Sequence, residues 1–473
     1  MEQIKQRSIN MFVGREKELS KLNQMYANNQ FEFAVLYGRR RVGKTTLINE
    51  FCHGKKTIFF VATEAAEKEN LAQFSKSIFM TMAGGTASVS FSGFSELFDY
   101  IDGICMEQRI VLAIDEYPYL AESCKAVSSM IQAHIDQTWR HSKLFLILCG
   151  SSMSFMENQV LGYKSPLYGR RTAQFKVRPL TYFESRGLLP AFSPEDQAIL
   201  YGITGGIPEY LSRINLRESL DDNVVRLFFD ESGRLYEEPG NLLKQELKEP
   251  ATYHSVIGAV AQGASKLNEI ATKVGIETSA ASAFLSSLIS LGLVKKEVPV
   301  TEPPTSRKTI YLLEDQMFRF WYRFVLPNTS GIVWGRGQQI YDLLVKPQLC
   351  DYMGQVFEEI CKQYLYQPQI FDKAPFFYQK LGRWWGSNPR LKRQEEIDIL
   401  AFDNTHVLIG ECKWNTTPAA ASVLETMYER GTLFNQPEKH YCLFSKNGIS
   451  DEARRLAENP GFQVITFADI NQI

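Results

Sequence analysis

The chain has 473 residues, with 52 Lys and Arg against 53 Asp and Glu. That length exceeds one ordinary core and points to about three domains. The near-neutral balance excludes polyanion binding through bulk charge, so any nucleic-acid surface must be a local patch. No run approaches the ~18 apolar residues of a membrane span. The opening MEQIKQRSINMFVG lacks the apolar stretch of a signal peptide. Cys52, Cys105, Cys124, Cys149, Cys350, Cys361, Cys412 and Cys442 are scattered without a CxxC pair. These features predict a reduced, cytoplasmic protein with no membrane partner, zinc site or disulfide framework.

From about residue 12 to 180 the chain alternates short apolar runs (FEFAVLYG, KTIFFVAT, IVLAIDEYP, LFLILCGSS) with helical stretches. That alternation predicts a parallel sheet with helices on its faces. Residues 181–250 read as helical, punctuated by TGGIPEYL. Residues 251–327 are helical, then carry two β-like runs, GLVKKEVPV and RKTIYLL, joined by TEPPTS. NTSGIVWGRGQQ, near 328–339, is the expected boundary before a last domain, 340–473. That domain opens with helix-like DYMGQVFEEICKQYL and continues through EIDILAFD and HVLIGECKW as strands.

GRRRVGKT at Gly38–Thr45 fits GxxxxGK[ST], follows an apolar strand and opens a helix. Such a loop turns backbone N–H groups and a helix N-terminus toward phosphates, here through Gly38, Arg39, Arg40, Arg41, Val42, Gly43, Lys44, Thr45 and Thr46. Lys44 is expected to reach the β- and γ-phosphates and Thr45 to hold Mg²⁺. The three arginines serve the phosphates or a partner, or face solvent. In IVLAIDEYPYL, Asp115 ends a buried strand and suits the Mg²⁺ shell, while Glu116 suits orienting water. Ser151 or Ser152 at the next strand end is a candidate γ-phosphate sensor. Arg170 or Arg171 in SPLYGRR is a candidate for transition-state charge, in cis or in trans.

FVGREKEL, GRRRVGKTT, AIDEYPYL, SPLYGRR and TGGIPEYL together resemble the archaeal-type ATPases of the STAND-like branch of AAA-related P-loop proteins, over about residues 10–325. The resemblance implies that Gly14 and Arg15 lie near the nucleotide base. It places Gly205, Gly206 and Pro208 in a helical lid, with Pro208 facing the nucleotide. It also implies ATP as the nucleotide, switching between open and closed arrangements, and a homo-oligomer or partner protein.

KLNEIATKVGIETSAASAFLSSLISLGLVKKE reads as a helix-turn-helix with a wing. Leu267, Ile270 and Ala271 share a face, Gly275 marks the turn, and Thr278 or Ser279 is the expected cap. Phe284, Leu285, Leu288 and Leu291 form the next apolar face. The second helix has no Lys or Arg, a poor set for phosphate anchoring. The wing mixes Lys295, Lys296, Arg307 and Lys308 with Glu297 and Glu302. Both a DNA contact and a packing domain that transmits the nucleotide state remain open.

In EIDILAFDNTHVLIGECKW, period-two alternation puts Glu411 and Lys413 on one strand face. A hairpin would bring Asp398 there. Two carboxylates can then hold a divalent ion while a lysine orients water, and Glu358 on the upstream helix adds a further acid. This constellation resembles the PD-(D/E)XK nucleases over about residues 345–473, although Ile397 stands where the leading Pro often lies. The resemblance implies Asp398, Glu411 and Lys413 as catalytic residues, with Glu358, Asp398 and Glu411 as ligands to Mg²⁺ or Mn²⁺. Lys380, Arg383, Arg390, Lys392 and Arg393, with Trp384 and Trp385, form the most basic local stretch and the expected DNA contact.

The expected fold class is α/β. A P-loop NTPase core (1–180), a helical lid (181–250) and a winged-helix domain (251–327) precede a mixed α/β restriction-endonuclease-like domain (340–473). Two functions follow: an ATPase switch coupled to a metal-dependent DNase, or an ATP-regulated adaptor whose nuclease-like domain only binds.

Overall fold

The computed structural model describes residues 12–83, 90–459 and 461–473. Residues 1–11, which carry most of the signal-peptide expectation, lie outside the described residues. The chain divides into two compact units, Met1–Leu188 with Ile207–Ser212, and Leu189–Gly206 with Arg213–Ile473.

The first unit is built on strands β1 (Glu32–Tyr37), β2 (Thr57–Val61), β3 (Ile110–Asp115), β4 (Leu144–Gly150) and β5 (Ala173–Lys176), in the order β2-β3-β4-β1-β5. All neighbouring pairs are parallel. Every residue of β3 and β4 is buried, as continuous apolar runs require when helices cover both faces. The helix Phe94–Glu107 buries Phe94, Leu97, Phe98, Ile101, Ile104 and Cys105, one stripe at helical spacing. Strand β5 was not evident in the sequence. It is a short edge strand with alternating exposure.

The second unit holds two sheets. The helices Pro250–Ala261, Leu267–Val274 and Thr278–Ser290 precede the antiparallel pair β6 (Val294–Glu297) and β7 (Ile310–Leu313). This has the element order of a winged helix. Gly275 closes its helix at φ 78°, but the expected Thr278 or Ser279 cap is not formed, since Glu277 holds the cap position without a side-chain bond.

The last sheet runs β12-β11-β10-β9-β8, from β8 (Lys380–Asn388), β9 (Arg393–Phe402), β10 (His406–Lys413), β11 (Glu438–Ser445) and β12 (Phe462–Thr466). β8, β9 and β10 are antiparallel neighbours, whereas β10, β11 and β12 are parallel. Ile397, Leu400, Val407, Ile409, Leu424 and Leu443 form the core under it.

The segment 328–339, expected as the boundary before a last domain, is itself folded. Thr329–Val333 and Gly337–Ile340 are helical, and Ile332 is buried. A Cβ on Gly337 would lie 1.8 Å from the Phe229 carbonyl oxygen. Gly337 therefore permits close packing, not flexibility. Likewise the expected lid, 181–250, is not one packing unit: Tyr182–Ser185 and Pro208–Leu211 belong with the first unit, and Leu220–Phe228 with the second.

Candidate functional site

The phosphate loop joins β1 to the helix Lys44–Cys52. Its conformation depends on Arg41 at φ 70° and Gly43 at φ 89°. The left-handed region suits Gly and strains Arg, so the loop stores backbone strain beside its binding surface. Gly38 is required by space, because a Cβ there would meet the Val177 carbonyl oxygen at 2.2 Å. Lys44 is buried, and its Nζ donates to the carbonyls of Gly38 (2.9 Å) and Arg39 (3.0 Å). Thr45 Oγ1 donates to Asp115 Oδ2 at 2.6 Å, so strand end and helix start meet where a hydrated divalent ion needs oxygen ligands. Val42 is fully buried, and Thr45 and Thr46 face outward.

Glu116 sits at φ 50°. Its carboxylate accepts from Ser151 Oγ at 2.8 Å and from the Ser151 amide at 3.3 Å. The two residues expected to act on water and on the γ-phosphate thus hold each other. Ser152 stands at the N-cap of the helix Met153–Phe155 without a side-chain cap bond. Arg15 is buried and donates to the carbonyls of Val42 (3.0 Å) and Arg178 (2.5 Å), so it braces the loop; burial pulls its proton affinity down. Gly14, at φ 67°, is packed so that a Cβ would lie 2.6 Å from Glu184 Cβ.

Arg170 needs correction. It lies just before β5, at the end of the sheet opposite the phosphate loop, as the parallel pairing of Ala34 with Ala173 dictates. There it pairs with Asp136 at 2.6 Å and donates to the Pro166 carbonyl at 2.8 Å. It cannot serve a nucleotide bound by its own chain. Arg171 shares that end of the sheet.

Sequence reading also missed two tyrosine contacts of the loop. Arg40 donates to Tyr119 Oη at 3.0 Å, and the Arg41 guanidinium lies 5.9 Å from the Tyr210 ring centroid. Pro208 Cγ stands 3.8 Å from where a Gly43 Cβ would be. The Gly-Gly-x-Pro-Glu-Tyr pattern was visible, but the packing of its tyrosine under Arg41 was not.

The C-terminal constellation is assembled by the β9–β10 pairing, which aligns Ile399 with Gly410. Asp398 Oδ2 accepts the Cys412 amide at 2.8 Å, and Lys413 Nζ donates to Glu411 Oε1 at 2.7 Å. Burial, then Glu411 and Glu358, raise the Asp398 carboxyl from an ordinary 3.8 to about 7. Burial also raises Glu358, against the pull of Arg383. For Lys413, burial works downward but Glu411 prevails and lifts it. A half-buried carboxylate crowded by two others gains from a cation, so the donor set fits a hard divalent ion.

The structure does not gather these acids into a ready ligand set. Among the described residues, ligand atoms of three such groups come within 4.8 Å of one another only at Asp99, Asp102 and His134. There His134 Nδ1 lies 3.0 Å from Asp102 Oδ2, and its ring stacks on Trp139. Glu411 Oε2 instead accepts from Arg430 Nη1 at 2.6 Å. Arg430, in the helix Ala421–Gly431, was missed because no motif marks it.

Arg383 is also misplaced as a DNA contact. It is mostly buried and bridges Glu358 (3.5 Å), Glu297 (3.4 Å) and Glu396. Its carbonyl accepts the Val300 amide at 2.9 Å, which ties the chain after β6 to β8. Trp384 packs on Phe434 with centroids 5.3 Å apart. Arg390 and Lys392 remain exposed at the β8–β9 turn, and Arg393 pairs with Glu395 at 2.6 Å. Lys308 and Lys295, in the expected wing, pair with Glu302 and Glu297.

The five-stranded parallel sheet, the loop at the end of β1 and the Thr45–Asp115 contact define a P-loop ATPase domain. Residues 12–214 match the family described as an ATPase domain predominantly from Archaea, and residues 321–424 match one of archaeal and bacterial proteins of unknown function. The chain belongs to the same family as Uncharacterized protein MJECL04 of Methanocaldococcus jannaschii, being 32% identical over 451 residues, 93% of this chain and 97% of that protein. Uncharacterized ATP-binding protein MJ0423 of the same organism is 50% identical over 46 residues, 10% of this chain and 78% of that protein. The Walker-type ATPase paby2304 of Pyrococcus abyssi shares the fold with TM-score 0.50 at 18% identity, covering 65% of this chain and 95% of that one. Among the described residues no helix is long and apolar enough to cross a membrane.

Proposed function

We propose that the chain is an ATP-driven switch whose last sheet carries a metal-dependent site that cleaves DNA phosphodiesters. The observation that carries this reading is half-buried Asp398 bonded to the Cys412 amide, with Glu411 and Lys413 paired beside it. In the first unit, the loop amides and Lys44 bind the triphosphate. A Mg²⁺ ion held by Thr45 and Asp115 would neutralise phosphate charge. Glu116, once released by Ser151, orients the attacking water. Arg170 acts only in trans, on the nucleotide of a neighbouring copy.

In the last sheet, a divalent ion on Asp398 and Glu411, with Glu358 as a further ligand, would supply Lewis acidity and lower the pKa of bound water. Lys413 orients that water. Arg390, Lys392 and Arg393 at the β8–β9 turn hold the DNA backbone. The test is cleavage of single-stranded, duplex and branched DNA with Mg²⁺ or Mn²⁺, with and without ATP. Wild type should cut, while Asp398→Ala and Lys413→Ala should not. Equal cleavage by wild type and Lys413→Ala would remove the site from consideration.

A second reading, the ATP-regulated adaptor that only binds nucleic acid or a partner, is favoured by one observation. Both oxygens of Glu411 are already engaged, by Lys413 and by Arg430. Absence of cleavage together with absence of metal binding would select it.

A further inference from the structure

Arg430 makes two bonds that differ in what they leave behind when broken. Its Nη1 donates to Glu411 Oε2 at 2.6 Å, and its Nε to Glu395 Oε2 at 3.1 Å. Glu395 is buried and also holds Arg393 through Oε1 at 2.6 Å. Releasing Glu411 therefore leaves neither Arg430 nor Glu395 without a partner. The backbone beneath is fixed: a Cβ on the next residue, Gly431, would lie 2.2 Å from Tyr441 Oη. The guanidinium, not the helix, is the part free to move.

The local charges explain why it must. Glu358, Asp398 and Glu411 face Arg383, Lys413 and Arg430. A divalent ion entering at Glu411 would meet Arg430 and Lys413 already in contact with its two oxygens. With Arg430 gone from Glu411, Oε2 is open to the ion. Buried like charges repel strongly, so the two cations exclude each other.

We propose that Arg430 is an internal counter-cation that occupies the place of a divalent ion at Glu411, and that it is displaced when the metal enters. This rests on the metal-site reading above. Glu395 is the resting place of the displaced guanidinium. While Arg430 holds Glu411, the site binds metal weakly. Arg430 is a positioning residue, since it acts through Glu411 and not on the reacting atoms.

The test is Mn²⁺ binding to the full-length chain, read from the electron paramagnetic resonance signal of free Mn²⁺, without nucleotide or DNA. Arg430→Gln should bind Mn²⁺ at least ~10-fold more tightly than wild type. Adding Asp398→Asn to Arg430→Gln should abolish the gain. Arg430→Lys keeps a charge but loses the second prong, so it should fall between; it also guards against misfolding of the glutamine variant. Equal or weaker binding by Arg430→Gln and Arg430→Lys, with measurable wild-type binding, would overturn the counter-cation. No Mn²⁺ binding by wild type or either variant at millimolar concentration would overturn the metal site itself, and the counter-cation with it.

Discussion

Asp398→Asn, in metal-free solution, is the perturbation whose sign is least intuitive. Burial and the neighbouring Glu411 and Glu358 hold the Asp398 carboxyl at about 7, against an ordinary 3.8. Between those two values the folded chain retains a proton that the unfolded chain has released. Stability therefore falls as pH rises through the window, and above about 7 the whole cost is present. A tenfold change in proton affinity corresponds to about 1.4 kcal/mol, so the ceiling is about 4 kcal/mol. Asn carries no charge, and its oxygen still accepts the Cys412 amide, but its NH₂ introduces donors into a buried site at a cost of ~1–3 kcal/mol. The expected outcome is a net gain of ~1–3 kcal/mol at pH 8 and a net loss of ~1–3 kcal/mol at pH 4. The assay is amide hydrogen exchange of β10 in EDTA, wild type against variant at each pH. A variant less protected than wild type at pH 8, or a difference independent of pH, would refute the argument that Asp398 is held uncomfortably in the folded state.

Lys44→Ala should abolish ATP binding by calorimetry, since it removes the ammonium of the loop, while Glu116→Gln should bind ATP and lose ~10²-fold or more in turnover; full hydrolysis by Glu116→Gln would move the water-orienting role elsewhere. Gly38→Ala should destabilise the first unit by at least ~1–3 kcal/mol in denaturant unfolding, because its Cβ would meet the Val177 carbonyl at 2.2 Å; an unchanged midpoint would mean that β1 and β5 separate freely. Neutralising Arg390, Lys392 and Arg393 should weaken DNA binding and flatten its salt dependence, more than neutralising Lys295 and Lys296 does; a larger effect from the lysines would make the wing the DNA surface.

What the sequence made legible was what is encoded within a few residues. The phosphate loop is a contiguous pattern, and Asp115-Glu116 ends an apolar run that only a buried strand explains. Glu411 and Lys413 share a face because strand geometry alternates, with no tertiary information needed. Partners distant in sequence were hidden. Arg383 looked like one of a run of cations, yet its carboxylates come from Glu297, Glu358 and Glu396, on three separate elements. Arg170 looked like part of the loop chemistry until β5 fixed which end of the sheet it occupies. The contact behind Gly337 was hidden too, since the Phe229 carbonyl oxygen that a Cβ there would meet lies far away in sequence.

The segment Ile207–Ser212 bears on how phosphate chemistry reaches the rest of the chain. It packs with the first unit, while the residues on both sides of it belong to the second. Gly205 and Gly206, both at φ 67°, let the backbone turn into it. Tyr210 is buried under Arg41, from the phosphate loop itself. A triphosphate drawn to the loop competes for the same guanidinium, because charge–charge attraction exceeds a cation–π contact of ~0.5–2 kcal/mol. Nucleotide should therefore loosen Tyr210, and the chain on either side should respond. The measurement is the ATP-induced change in amide exchange over the helix Leu220–Phe228. Tyr210→Ala should erase that change while leaving ATP affinity within ~3-fold, since the loop amides and Lys44 hold the phosphates. Tyr210→Phe keeps the ring under Arg41 and should preserve the change, which separates the contact from the loss of a buried side chain. An ATP response of full size in Tyr210→Ala would show that the signal leaves the phosphate loop by another route.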